Sequence, residues 1–161
     1  MANVAVIIYG PAITNIYVLH FKEVNLILVL NETFMIKPYL YIDKTVEKGK
    51  AVFTNEKIAA GTIVEIAPVI VMSREDRLHL DKTLLHDYIF EWGKLKDKCC
   101  MALGMIPIYN HSYQSNCEYF MDFEEDTMFI KAVKTIPKGA ELTINYNGNW
   151  NDKKKVWFDV V

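Results

Sequence analysis

From Met35 onward, apolar residues fall in short runs separated by glycine, proline or charge, and several runs alternate with polar neighbours. That period of two predicts strands. Tyr39-Leu40-Tyr41-Ile42 is one, Val46–Phe53 runs through Gly49 into another, and Thr62–Ile66 is rich in β-branched residues. Tyr88–Trp92 and Cys99–Leu103 predict a hairpin closed by the charged loop Gly93–Lys98, and Tyr119–Phe123 and Thr127–Val133 another across Glu124-Glu125-Asp126. Ile58-Ala59-Ala60-Gly61 and Ile136-Pro137-Lys138-Gly139 are two similar tight turns, each ahead of a strand. One helix is predicted: Ser73 offers a cap with Asp76 three residues later. Leu78, Leu84, Leu85 and Tyr88 would form its apolar side, and Thr83 is a second start signal. Many short strands, one inserted helix and no βαβ rhythm predict a mainly β, β-rich α+β fold.

Residues 1–33 differ from the rest. They hold three charged residues, Lys22, Glu23 and Glu32, against thirty-five in the other 128 positions. Val4–Ile8 and Leu26–Leu30 are apolar runs, but neither approaches the ~20 residues of a spanning helix. No basic start region or small-residue cleavage site supports a secretory signal. Three readings stay open: extra strands packed on the domain, a weakly membrane-associating leader, or translated sequence upstream of a start at Met35. The expected division is an apolar extension, 1–33, and one domain, 34–161.

Composition narrows the partners. A hydrophobic content of 52% with 24% charged residues is that of a globular chain with a real core. The net charge of −2 gives no general electrostatic reason to bind nucleic acid. Cys99, Cys100 and Cys117 are odd in number and lack Cys-x-x-Cys spacing, which predicts packed thiols in an intracellular, cytoplasmic protein. His20, His79, His86 and His111 show no paired ligand spacing, so no metal site is expected.

The chemistry concentrates in two stretches. Tyr109–Tyr119 crowds amides, an imidazole and hydroxyls between apolar runs, and these groups need partners. In Ala140–Tyr146, alternation sets Leu142, Ile144 and Tyr146 on one face and Glu141, Thr143 and Asn145 on the other. On the residues alone, Tyr146 reads as a core tyrosine with a bonded hydroxyl, and Asn110 as a strand cap. Together, however, Asn-His-Ser-x-x-x-Asn-Cys (110–117) and Glu-Leu-Thr-x-x-Tyr (141–146) resemble the paired signature of SET-domain protein-lysine methyltransferases.

The resemblance implies a β-clip fold of several short sheets, one inserted helix and a C-terminal pseudoknot in which Asn116 is structural. It implies S-adenosylmethionine as cofactor and the ε-amine of a lysine in a protein or peptide as acceptor. Tyr146 matches the tyrosine at the junction of cofactor cleft and lysine channel. Asn110 matches the side chain that holds the methionine part of the cofactor, and His111 the backbone that reads the adenine edge. Lys48-Gly49-Lys50-Ala51 resembles the Gly-x-Gly motif that approaches the cofactor carboxylate, with Ala51 in place of its second glycine. Asn145 stands where an aspartate is common. These two departures leave open a catalytically degenerate domain that binds cofactor or peptide without turnover. Tyr109, Tyr113, Tyr119 and Phe120 are the candidates for lining the channel. No cysteine follows Cys117, so the likeness is to short prokaryotic and viral forms without a zinc-binding segment after the domain. Closing the site would then fall to Trp150, Trp157 or Phe158, with Trp157 also over the cofactor; Val156-Trp157-Phe158 could equally be a docked strand.

Overall fold

The computed structural model describes residues 15–21, 24–30 and 34–160. It divides into two units, residues 1–33 and 34–161. In the first, β1 (Asn15–Phe21) and β2 (Val24–Leu30) pair antiparallel, from Asn15 opposite Leu30 to Phe21 opposite Val24. The apolar run Val4–Ile8 lies outside the described residues.

The second unit is mainly β with one α-helix and two sheets, as the strand pattern predicts. In chain order it has β3 (Met35–Ile36), β4 (Leu40–Lys44), β5 (Lys50–Thr54), β6 (Ile63–Met72), α1 (Arg74–Leu80), β7 (Phe90–Trp92), β8 (Lys98–Ala102), β9 (Asn110–His111), β10 (Cys117–Asp122), β11 (Thr127–Ala132) and β12 (Glu141–Ile144). The larger sheet runs β10-β11-β6-β8-β7, with β3 added to β6; the smaller runs β4-β5-β12-β9. Both predicted hairpins form, β7 with β8 and β10 with β11. Alternation explains their burial: Met128, Ile130 and Ala132 are wholly enclosed, while Phe129 and Lys131 between them are not. With Val52, Val64, Leu142 and Ile144 they form one core.

The two similar turns turn out to be partners. Ile58 and Ile136 exchange backbone hydrogen bonds, both 2.9 Å, and both side chains are buried. Gly61 and Gly139 take φ of +86° and +81° just beyond, where a side chain would be strained.

The helix starts where the sequence predicts, with a full capping box between Ser73 and Asp76. Its predicted apolar side is not buried. α1 contains no buried residue, and Leu78, Leu84, Leu85 and Tyr88 are all exposed. Arg77 holds the helix instead, donating to Glu91 Oε1 (3.1 Å) and to the Lys96 carbonyl (2.7 Å). Thr83 caps a 3₁₀ turn, Leu84–Tyr88, so the next strand begins at Phe90 rather than Tyr88.

The site rests on β9 lying parallel to β12, Asn110 opposite Thr143 and His111 opposite Ile144. Parallel neighbours need a long crossover, and here residues 112–140 supply it, carrying β10 and β11. Asn116 locks the junction: its Nδ2 donates to the Glu141 carbonyl (2.7 Å) and its Oδ1 accepts from the Thr143 amide (2.8 Å). These bonds fit the structural part expected of Asn116. Asn116→Ala strands a strand carbonyl and an amide, and should cost about 2–4 kcal/mol; a denaturant midpoint unchanged from wild type would show that the amide carries no such load.

Candidate active site

A cleft of about 750 Å³ opens between the 3₁₀ turn Leu84–Tyr88, β7, the turn Ile106–Ile108, and the tail residues Asp152–Trp157. Tyr109, Tyr119, Tyr146 and Trp157 line it. Strand β12 ends at Ile144, so the alternation stops there: Asn145 is fully buried, and Tyr146 begins a turn. Tyr146 is fixed from both ends. Its amide donates to His111 Nδ1 (3.1 Å), and its hydroxyl donates to the Tyr109 carbonyl (3.0 Å). Burial pushes its phenol pKa up to about 12, with Asp87 adding to the rise. The hydroxyl therefore stays protonated at neutral pH and serves as a hydrogen-bond donor. The Tyr119 hydroxyl points at the Tyr146 carbonyl at the long distance of 3.5 Å, and its ring meets the Phe90 edge.

His111 is buried and acts as a wedge. Accepting at Nδ1 leaves its neutral proton on Nε2, which is enclosed and has no partner. Burial, then the nearby Lys48 charge, lowers its pKa, so it is neutral. Its ring packs against Tyr113, Tyr146 and Phe158, with centroids at 4.6, 5.2 and 6.0 Å. Asn110 extends the site toward β5: its Nδ2 donates to Glu141 Oε1 (2.8 Å) and to the Lys50 carbonyl (3.3 Å). Both amide hydrogens are thus used within the protein.

Beside it, Gly49 has φ +75°, with open space where a side chain would stand. Lys48 is half-buried and Lys50 exposed. Lys48–Lys50, Asn110, His111, Phe158, Trp157 and Tyr146 thus form one contiguous arc. The side chain of Ala51, next in the chain, is wholly enclosed within β5. Asn145 is likewise accommodated, donating to the Asp152 carbonyl (2.7 Å) and accepting from the Asn147 amide (3.0 Å).

Two candidate channel residues lie elsewhere. Phe120 stacks on Phe129 at 4.8 Å, on the face of β10 opposite Tyr119, because neighbours in a strand point to opposite sides. Tyr113 is behind His111, where its hydroxyl accepts from the Val156 amide (3.3 Å) and braces the tail. Val156-Trp157-Phe158 is not a strand. Trp157 stacks beside Tyr146 (5.9 Å, 21°) and meets His86 edge-on; Phe158 packs on His111 and Tyr146. Trp150 sits apart, with Lys134 over its ring at 5.8 Å.

One residue escaped the sequence reading. Glu65, in the middle of β6, is completely buried. Its Oε1 accepts from the Met105 and Ile106 amides, at 2.6 and 3.2 Å. Its Oε2 and the Tyr109 hydroxyl are both buried without a hydrogen-bond partner; burial first, and then the charge of this carboxyl, push the phenol pKa well up. Burial raises the carboxyl's own pKa to about 7. A lone carboxylate inside Ile63-Val64-Glu65-Ile66-Ala67 was the available signal.

Much of this chain matches known proteins. The SET domain family model matches residues 49–147. A histone-lysine N-methyltransferase of Schizosaccharomyces pombe, described as H3 lysine-37 specific, is 30% identical over 126 residues, covering 78% of this chain and 80% of the relative. The crystal structure of a candidate histone methyltransferase from Plasmodium falciparum superposes with a TM-score of 0.54 at 27% identity, covering 69% of this chain and 99% of that one. The arc from Gly49 to Tyr146 falls inside the matched segment, whereas the Trp157 tail lies beyond it.

The buried carboxyl predicts a pH dependence of stability. A folded pKa of about 7 against 4.5 for the free group means that the folded chain holds the proton longer. Its penalty is absent below pH 4.5, grows as pH rises, and is complete above pH 7, for a total of roughly 3 kcal/mol. Glu65→Gln cannot titrate, so the stability of wild type relative to it should fall across that window. Parallel denaturation curves from acid to neutral pH would contradict this.

Proposed function

The chain belongs to the SET-domain family of protein-lysine methyltransferases, and from that premise we propose that it transfers a methyl group from S-adenosylmethionine to the ε-amine of a lysine in a protein or peptide. The observation that carries this reading is the phenol of Tyr146, held on the Tyr109 carbonyl in a cleft, with Asn110, His111 and the Lys48–Lys50 backbone on its other flank.

The residues present suit the cofactor. The open backbone at Gly49 between two lysines suits a carboxylate. Asn110, with both hydrogens spent, offers its remaining oxygen to an ammonium. Phe158 and Trp157 supply aromatic faces beside His111 for a flat ring. Bound there, S-adenosylmethionine supplies the electrophilic sulfonium methyl.

The protein's own part is to deliver the amine neutral and in line. A lysine has a pKa of about 10.4 in water, and an apolar, tyrosine-lined passage disfavours its charged form. With the Tyr146 hydroxyl committed to the Tyr109 carbonyl, its oxygen is left to accept from the amine and aim the lone pair. Tyr109 and Tyr119 are the channel walls supported by their place in the cleft. Against the degenerate alternative, the Ala51 side chain is enclosed and the Asn145 amide both donates and accepts a hydrogen bond within the protein.

Histone H3 is the first substrate to test, because the Schizosaccharomyces pombe relative is described as acting on it. Wild type, incubated with methyl-labelled cofactor, recombinant H3 and host proteins, should place label on lysine Nε. Tyr146→Phe should lose roughly 100-fold or more in turnover through misalignment while binding cofactor within about threefold of wild type. Label transfer by Tyr146→Phe at the wild-type rate would overturn the role of this residue, and cofactor binding without any lysine label would favour the degenerate reading.

A further inference from the structure

The Glu65 carboxyl is the one fully buried charged side chain among the described residues, and the chemistry above does not use it. It sits in β6 opposite Ile36 on one side and Ile130 on the other, so no strand neighbour neutralises it. What it touches is a five-residue turn, Met105–Tyr109. At the start of that turn Oε1 takes the Met105 and Ile106 amides. At its end the Tyr109 hydroxyl, like Oε2 of the carboxyl, is buried without a hydrogen-bond partner. The turn closes on itself through Ile108 N–H to the Met105 carbonyl (2.8 Å). Its last carbonyl, that of Tyr109, receives the Tyr146 hydroxyl.

The preceding residue is shaped around this arrangement. Gly104 has φ +107°, and a side chain there would come within 2.6 Å of Oε1. The backbone can pass the carboxyl closely only because that side chain is missing. A buried carboxylate in a strand is costly, and a leucine of similar size would fill the space without that cost. A purely packing role therefore does not account for it.

We propose that Glu65 is a positioning residue for Tyr146: it pins the start of the Met105–Tyr109 turn through two amides and so fixes the turn whose last carbonyl sets the direction of the phenol. The inference rests on the reading of Tyr146 given above, but the link from Glu65 to Tyr146 is testable without methyl transfer. Full-length protein carrying ¹³Cζ-tyrosine, with the Tyr146 signal assigned from Tyr146→Phe, reports the environment of the hydroxyl directly.

Glu65→Ala should displace or broaden the Tyr146 resonance. Glu65→Gln, which retains an acceptor for the two amides and fills the same space, should restore it close to wild type. In turnover, Glu65→Ala should lower kcat roughly 10- to 100-fold with cofactor Kd within about threefold, and Glu65→Gln should recover most of the loss. If Glu65→Ala does not fold, Glu65→Asp gives the same contrast, since a carboxyl one methylene shorter falls short of the Met105 and Ile106 amides. A Tyr146 resonance unmoved in both Ala and Asp variants overturns the proposal, as does a kcat loss that only follows the folded fraction. A wild-type protein that transfers no methyl, but whose Tyr146 signal moves in Glu65→Ala and returns in Glu65→Gln, upholds this link and counts against the proposed activity alone.

Discussion

The parallel pairing of Asn110–His111 with Thr143–Ile144 is the contact on which the rest of the site depends. It brings an amide-rich bend and a tyrosine some thirty-five residues apart in the chain to the same end of one small sheet. Neither segment could form this contact locally. The β10–β11 hairpin lies between them in the chain, and Asn116 supplies two hydrogen bonds that a longer strand would have made. Closing so non-local a junction is entropically expensive, and the enclosed Leu142 and Ile144 provide the apolar burial that offsets it. His111 then converts strand register into side-chain geometry. Its Nδ1 takes the Tyr146 amide just past the end of β12, so a slip in register would move the phenol away from the cleft.

Around that junction, polar groups are used to hold backbone rather than to do chemistry. Asn145 and Asn147 both donate to tail carbonyls, those of Asp152 and Lys154. Ser115 reaches the Trp150 carbonyl, and the Tyr113 hydroxyl takes the Val156 amide. These bonds bring Trp157 and Phe158 back over Tyr146 and His111 although the tail has no regular structure of its own. The same economy appears at Glu65 and at Asn110, whose bonds tie separate elements together. Most of the polar groups around the cleft thus tie one segment of backbone to another, with His111 Nε2, the Tyr109 hydroxyl and Glu65 Oε2 the buried exceptions.

Much of this was legible in the chain, for identifiable reasons. The two hairpins follow from alternation bounded by charged loops, which is local information. The helix start follows from Ser73 and Asp76, also local. The β9–β12 contact is not local, and only the resemblance of the two motifs pointed to it. The apolar side assigned to the helix was misjudged because Leu78, Leu84 and Leu85 keep helical spacing whether or not a core lies opposite. Phe120 was placed in the channel together with Tyr119, although strand parity forbids adjacent residues from sharing a face. Glu65 was passed over as one polar letter in a β-branched run, since burial of both sheet faces cannot be seen from one strand alone.

The small helix has a consequence of a different kind. It contributes nothing to the core, since none of its residues is buried, and it is held by its own cap and by a single arginine. Substitutions or changes of length there would cost the fold little, yet the segment that follows it borders the cleft. The mouth of the cleft is thus built partly from chain that the packed interior does not constrain, so its outline can change while the β9–β12 junction beneath stays as it is.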